Sequence, residues 1–176
     1  MEKNIKFLVI IIMWLITTTA FAQYKTEVED GIFVTFPNKP LCDIVSNKLS
    51  YVTTIENDIY MVIVLTDAIP NYSELFLAEK DWTELEKKEV RNAFLNSFLE
   101  GYAGTNENSI EVKIGNYYGK KLTYSGINLI TKDKSKNFCV ALSVRDKMIL
   151  FECILSHELS TTIREKDNFL NSISTY

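Results

Sequence analysis

The chain contains three cysteines, which are candidates for metal binding, disulfide formation or thiol redox chemistry: Cys42, Cys139 and Cys153. They are dispersed and form no C-x-x-C pair, so they lack the ligand spacing of a structural zinc site. Cys42 comes shortly after two prolines, and it either pairs with Cys139 or stays free. An exposed thiol of lowered pKa at Cys42 would be the basis of a redox function, which is one alternative for this chain.

A disulfide between Cys139 and Cys153 is not expected, although both lie on neighbouring predicted strands. Alternation around a turn at residues 146–147 places Cys153 on the apolar face and Cys139 on the opposite face. A slip of one residue would align the two cysteines, but it would bury the Glu152 carboxylate, which costs more. We expect Cys139 and Glu152 to be less buried than the apolar face, whose members include Val140, Leu142, Phe151 and Cys153.

His157 is the only histidine. A serine or cysteine nucleophile would need it as its base, and no G-x-S-x-G elbow is present. We interpret His157 as an exposed loop residue, with a hydrolase that couples it to a scattered carboxylate as an alternative. The carboxylates lack the spacing of an EF-hand. The sequence therefore assigns no catalytic residue, no metal ligand and no cofactor.

Aromatic side chains form the candidate recognition surface. Exposed Tyr and Trp provide a large contact area at a small entropic cost. The alternative is that the tyrosines complete the edge of the core and leave their hydroxyls in water. The five candidates are Trp82, Tyr102, Tyr117, Tyr118 and Tyr124.

The N-terminus has the layout of a secretory signal peptide. Two lysines precede an apolar run at residues 7–16, and Ala-Phe-Ala follows three threonines. The run is about half of the roughly 20 apolar residues that a spanning helix needs. The pattern predicts cleavage between Ala22 and Gln23, so residues 1–22 are a signal peptide and residues 23–176 one exported domain, periplasmic or extracellular. No stable membrane anchor is expected after cleavage.

Composition narrows the class of partner. The chain carries 19 basic and 23 acidic side chains, a net charge of −4, which argues against nucleic acid. With 47% hydrophobic residues and few Gly and Pro it is typical of a globular protein. The mixed-charge run at residues 81–91 is typical of a solvated helix face with pairs such as Glu84–Lys88.

Periodicity predicts an α+β fold with a mostly antiparallel sheet of about six or seven strands and helices packed on it. The helical segment 73–102 begins at Asn71 or Ser73 and ends at Gly101 or Gly104. Its apolar stripe rotates, which indicates a kink or two helices joined near residues 86–89. A C-terminal helix at 160–173 has a capping-box candidate, Thr162 with Glu165. The predicted strands are 31–36, 49–55, 60–66, 110–114, 118–130, 137–144 and 148–155.

Two short motifs resemble a known family. FPNKP at residues 36–40 closes the first predicted strand, and YYGKKLTY at residues 117–124 opens a later one. In this order they resemble the secreted bacterial domains with the Mog1/PsbP-like α/β/α sandwich, over residues 31–173. Asn38 replaces a usual glycine, and Asn enters the left-handed region more readily than other residues. The resemblance implies a non-enzymatic binding or assembly module, whose partner is an unknown protein or a small envelope ligand.

Overall fold

The computed structural model describes residues 23–104 and 109–176. The predicted signal peptide, including Ala22, lies outside the described residues, and Gln23 is exposed at their start. No helix in the described part of the chain is long and apolar enough to cross a membrane.

Within residues 23–104 and 109–176, ten strands form two antiparallel sheets. The strands are β1 (Tyr24–Glu29), β2 (Ile32–Phe36), β3 (Leu41–Val45), β4 (Lys48–Ile55), β5 (Asp58–Leu65), β6 (Ile110–Ile114), β7 (Tyr117–Ile127), β8 (Lys134–Val144), β9 (Lys147–Leu155) and β10 (Ser174–Thr175). The large sheet has seven strands in the order β3-β4-β5-β9-β8-β7-β6, and the small sheet has the order β1-β2-β10. The predicted α+β class and the antiparallel sheet of about six or seven strands are confirmed. Strands β1, β3 and β10 were not predicted, and β2 lies in the small sheet.

The part of the chain that the structure describes also contains three α-helices: α1 (Tyr72–Ala78), α2 (Glu84–Ala103) and α3 (Ser160–Asn171), with a 3₁₀ turn, Glu79–Asp81, between α1 and α2. The predicted break in the helical segment is confirmed, but its position near residues 86–89 is wrong. The break lies at Trp82 and Thr83, because Thr83 caps α2: its Oγ1 accepts from Glu86 N at 3.3 Å, and its backbone N–H donates to the Glu86 carboxylate at 2.7 Å.

The predicted helix ends are confirmed in two places and wrong in one. Asn71 precedes α1 with a left-handed φ of 54°, and Gly104 ends α2. The Thr162–Glu165 capping box does not form, because α3 already begins at Ser160. The Thr162 hydroxyl instead donates to the Leu159 carbonyl oxygen at 2.9 Å.

The large sheet has a hydrophobic core on each of its faces. The first core lies under the small sheet and α3 and includes Val34, Phe36, Tyr60, Val62, Val140, Leu142, Phe151, Cys153 and Phe169. The second core lies under α1 and α2 and includes Met61, Ile63, Leu95, Leu99, Leu122, Cys139, Met148 and Leu150. Because both faces are covered, β5 and β9 are buried along nearly their whole length.

The predicted faces of β8 and β9 are confirmed, with Phe138 opposite Cys153 and Val140 opposite Phe151. The turn lies at residues 145–146, one position earlier than predicted, and this leaves the faces unchanged. The expectation that Cys139 and Glu152 would be less buried is wrong. They are 0% and 1% exposed, because the helices cover their face as well.

The structure explains why particular residues occur in the two family-like motifs, FPNKP at residues 36–40 and YYGKKLTY at residues 117–124. In the first, Phe36 and Pro37 are buried, and the exposed Asn38 donates from Nδ2 to the Thr54 carbonyl oxygen at 3.1 Å. Asn38 is not among the residues with positive φ, so the left-handed argument does not apply to it. In the second, a Cβ at Gly119 would lie 2.5 Å from the Ala141 carbonyl oxygen, so β7 and β8 require glycine there.

Candidate functional site

A groove of about 320 Å³ lies between the helices and the β6–β7 and β8–β9 turns. Two of the five predicted recognition residues, Tyr117 and Tyr118, line it together with charged side chains. We call it the tyrosine groove. Its lining comprises Tyr72, Glu79, Glu84, Lys87, Arg91, Lys113, Asn116, Tyr117, Tyr118, Ser143 and Arg145.

Arg91 on α2 builds the floor of the tyrosine groove and is only 7% exposed. Its guanidinium pairs with Glu79 at 2.7 Å and donates to the Arg145 carbonyl oxygen at 2.8 Å. It also lies over the Tyr72 ring, 5.4 Å from the centroid. One side chain therefore joins α2, the 3₁₀ turn, α1 and the β8–β9 turn, and its charge is largely satisfied inside the protein.

Tyr118 joins the start of α2 to β7. Its hydroxyl donates to the Glu84 carboxylate at 3.2 Å, and Lys87 pairs with the same carboxylate at 3.0 Å. The Lys87 hydrogen bond is the largest cause, and the Tyr118 hydrogen bond a further one, of the lowered pKa of Glu84. Lys113 lies over the Tyr118 ring at 4.8 Å from its centroid. The Tyr118 side chain is thus held at its hydroxyl by Glu84 and at its ring face by Lys113, at the rim of the groove.

The tyrosine groove is positively charged in a chain of net negative charge. Among the described residues, four cationic side chains and two carboxylates line it. Arg91 and Lys87 are paired with those two carboxylates, so the excess charge belongs to Lys113 and Arg145. Arg145 meets Asp30 at 3.4 Å with both side chains mostly exposed, a pair that water screens strongly. The groove can therefore attract a carboxylate or a phosphate.

Tyr102 and Tyr124 lie elsewhere, around the buried Glu152. The hydroxyl of Tyr102 donates to its Oε2 at 2.8 Å, Tyr124 donates to Oε1, and Asn137 donates to Oε1 at 3.3 Å. Burial raises the pKa of Glu152, and the three hydrogen bonds oppose that rise. Burial likewise raises the pKa of both tyrosines. The cluster satisfies its polar groups internally and is a structural feature of the second core.

The five predicted recognition residues thus occupy three places. Tyr117 and Tyr118 share the tyrosine groove, although the Tyr117 side chain also packs against the first core. Tyr102 and Tyr124 are in edge-to-face contact at 6.3 Å beside Glu152. Trp82 is half-buried at the joint between the 3₁₀ turn and α2. The sequence pattern identified these aromatic residues as candidates but did not predict that they lie in three separate places.

The residues of the two alternative functions stand apart from the groove. His157 is exposed, and among the hydrogen bonds of the described residues only its backbone carbonyl takes part, accepting from Thr162 Oγ1 at 2.9 Å. All three cysteines are free: Cys42 is exposed, whereas Cys139 and Cys153 are buried. Burial raises the pKa of both buried thiols. No cluster of three metal-ligating side chains occurs within 23–104 and 109–176.

Sequence reasoning missed the cationic residues of the groove. The run at residues 81–91 was expected to be a solvated helix face, but Arg91 is buried and Lys88 pairs with Glu111 on β6 at 2.8 Å rather than with Glu84. Lys113 had a weak signal, since it precedes the Tyr117–Tyr118 pair in a short hairpin. Arg145 had none, because the β8–β9 turn meets the groove residues of α2 and β6 only in the folded protein.

The sequence matches no known family profile and no curated protein. Among solved structures, the chain is similar to the cyanobacterial PsbP protein CyanoP of Synechocystis sp. PCC 6803. The identity is 15%, the match covers 90% of this chain and 95% of that one, and the TM-score is 0.53. The fold is PsbP-like. A protein from Bacteroides thetaiotaomicron VPI-5482 matches with 10% identity, over 88% of this chain and 49% of that one, at a TM-score of 0.45.

Proposed function

We propose that the chain is an exported, non-enzymatic binding module that holds an acidic segment of a partner protein in the tyrosine groove. The observation that carries the proposal is the excess positive charge of Lys113 and Arg145 beside Tyr118, in a chain of net charge −4. Cationic and aromatic groups at one open groove favour contact with carboxylate-bearing polypeptide, since aromatics add area and the charges add direction.

Two further observations support the proposal of an exported binding module. The first 22 residues have the sequence layout of a signal peptide, which supports export. The fold is PsbP-like. The resemblance of the two sequence motifs to the Mog1/PsbP-like domains implies a role in binding or assembly. The net negative charge disfavours nucleic acid as the partner.

The test compares two double variants with equal changes of net charge. Lys113→Glu with Arg145→Glu reverses the rim of the tyrosine groove, whereas Lys121→Glu with Lys134→Glu reverses two exposed lysines outside it. Each chain is immobilised, incubated with envelope extract of the native host and analysed by quantitative mass spectrometry. A partner retained by the wild type and the control, but reduced at least tenfold by the rim variant, supports the proposal.

Equal retention by both double variants contradicts the role of the groove. The enzymatic alternatives are tested in parallel with His157→Ala and Cys42→Ser, which leave the groove untouched. Turnover of an ester, peptide or glycoside substrate that is lost in His157→Ala, or thiol–disulfide exchange that is lost in Cys42→Ser, would replace the binding module with an enzyme.

A further inference from the structure

Strand β3 forms one end of the large sheet, and its outer side is unpaired within the described residues. All five of its residues are exposed, and three of them are large and apolar: Leu41 at 80%, Ile44 at 71% and Val45 at 60%. Natural edge strands are commonly protected by lysine, proline or a bulge. β3 contains no lysine or proline, and its register with β4 is regular.

The hairpin geometry shows which backbone groups face outward. Val45 pairs with Lys48 across a two-residue turn, so this closing pair is a hydrogen-bonded pair and the pairs alternate from there. Leu41, Asp43 and Val45 therefore direct their N–H and C=O groups to β4. Cys42 and Ile44 direct theirs to the open side. The outer side thus presents two donors and two acceptors in the spacing that an extended chain satisfies.

The side chains of β3 indicate which residues a strand that pairs with it would carry. Cys42 is opposite Tyr51, which packs against the first core, and Leu41 is opposite Val52, which packs against the second. Cys42 and Ile44 therefore extend one face, whereas Leu41, Asp43 and Val45 extend the other. An added strand would meet apolar neighbours on both faces and one carboxylate, that of Asp43, at the centre of the strand.

We propose that the open side of β3 accepts an extended segment of a partner polypeptide as an eighth, antiparallel strand. The segment carries a basic side chain opposite Asp43 and apolar side chains two residues to either side, because opposite charges and apolar pairs stabilise directly facing positions. This goes beyond the tyrosine groove, which includes residues of β6 and β7 at the other end of the strand order.

A second copy of the chain fits this edge less well. Self-pairing of β3 over all five residues is centred on Asp43 and places two carboxylates opposite each other, which is destabilising. Charge complementarity therefore favours a basic strand from another polypeptide.

The test uses two labelled nine-residue peptides: one with a central Lys, Val two residues to either side and Thr between them, and a twin with a central Glu. The protein is expressed with its own residues 1–22 and used as recovered. Fluorescence anisotropy at fixed ionic strength is expected to show the Lys peptide binding at least tenfold more tightly. In Asp43→Lys the preference should reverse to the Glu peptide.

Three variants separate the backbone contribution from the side chain. Cys42→Pro removes an outward N–H and should weaken the Lys peptide at least tenfold, whereas Cys42→Ser keeps that N–H and should bind like the wild type. Glu111→Pro at the matching position of β6, likewise four residues before the first turn residue, should leave binding unchanged. The proposal is overturned if neither peptide binds, if both bind alike, if Glu111→Pro weakens binding as Cys42→Pro does, or if the chain dimerises through β3.

Discussion

The two edges of the large sheet are built in opposite ways. The outward positions of β6 are Glu111 and Lys113. Glu111 accepts from Lys88 and from Asn92 of α2, each at 2.8 Å, and Lys113 lies over the Tyr118 ring. The outward positions of β3 are Cys42 and Ile44, and no helix packs beside them in the described part of the chain. Charge and a neighbouring helix protect one edge, and the other edge is left open for pairing.

The turns beside the two edges carry the same contrast. Ser46 and Gly115 are the first residues of two-residue turns, and both have positive φ, 55° and 58°. Ser46 is exposed, whereas a Cβ at Gly115 would lie 1.9 Å from Thr175 Oγ1 on β10. The turn of the β6 hairpin therefore packs against the small sheet, whereas the turn of the β3 hairpin is exposed and is bonded to the end of β5, where Thr66 N donates to the Asn47 carbonyl oxygen at 2.9 Å.

The largest expected effect comes from a substitution in the interior of the sheet, which supports both edge strands. Glu152→Ala leaves the hydroxyls of Tyr102 and Tyr124 and the Asn137 amide without their shared acceptor. We expect a loss of about 3 kcal/mol in the free energy of unfolding, measured by urea denaturation. Amide exchange should accelerate at β3 and β6 together. Acceleration at one edge alone would show that the sheet is not one cooperative unit.

The same carboxyl predicts a pH dependence. The pKa of Glu152 is raised in the folded state, so the unfolded chain loses this proton first as the pH rises. Its contribution to stability is fully present below the unfolded pKa and is lost as the pH rises through the folded pKa. Glu152→Gln should flatten this decline while keeping most of the hydrogen bonds. A wild-type stability that rises over that window, with the same rise in Glu152→Gln, would contradict the assignment.

The difference between the β6–β7 and β3–β4 turns predicts the next largest effect on stability. Gly115→Ala introduces a Cβ at positive φ and against Thr175, so we expect a loss of about 2 kcal/mol in the free energy of unfolding. Ser46 is at the matching position of the β3 turn and already has a Cβ at positive φ. Ser46→Ala should therefore change the free energy of unfolding by less than about 0.5 kcal/mol. Equal effects in thermal denaturation would remove the contrast between the two turns.

Giving β3 a charge like those of β6 should sharpen the comparison. Ile44→Lys places a solvated cation at an outward position of β3, and such charges discourage strand pairing at the edges of natural sheets. We expect about tenfold weaker binding, or about 1.4 kcal/mol, with stability within about 0.5 kcal/mol of the wild type. Leu77→Lys on α1 changes another exposed apolar residue, 63% exposed against 71% for Ile44, and should leave binding unaltered. Weaker binding in both variants would indicate a nonspecific effect of charge.

The smallest effect concerns the ion pair that covers β6. A hydrogen bond from Lys88 is the largest cause of the lowered pKa of Glu111. In Lys88→Ala this pKa should rise towards the ordinary value of a glutamate, as measured by NMR titration of the side-chain carboxyl. Lys132→Ala, in the loop after β7, serves as the control. An unchanged Glu111 pKa in Lys88→Ala would show that α2 does not hold the outward side chain of this edge.

The fold was largely predictable because alternation and turns specify antiparallel pairs. The faces of β8 and β9 follow from the apolar pattern of Val140 and Phe151, and β4 and β5 from their β-branched runs. The end of the helical segment at Gly104 follows from the same local signals. The break at Thr83 was misplaced because the apolar stripe and the capping box pointed to different residues.

The features that the sequence did not predict depend on tertiary covering. Cys139 and Glu152 are buried only because α2 packs over their face, and local alternation cannot indicate that. β3 was missed because all five residues are exposed, so the strand has no buried face to produce alternation. Arg91 was expected in water because its partners, Glu79 and the Arg145 carbonyl, are brought to it by separate elements.

The most direct test of the contrast between the edges is residue-level hydrogen exchange of the outward amides, with and without the Lys-centred peptide. In the free protein, the amides of Cys42, Ile44, Glu111 and Lys113 should all exchange rapidly, since each faces outward from an edge strand. At saturating peptide, exchange at Cys42 and Ile44 should slow at least tenfold, and exchange at Glu111 and Lys113 should not change. Unchanged exchange at Cys42 and Ile44, or equal slowing at both edges, would contradict the assignment of β3 as the open edge.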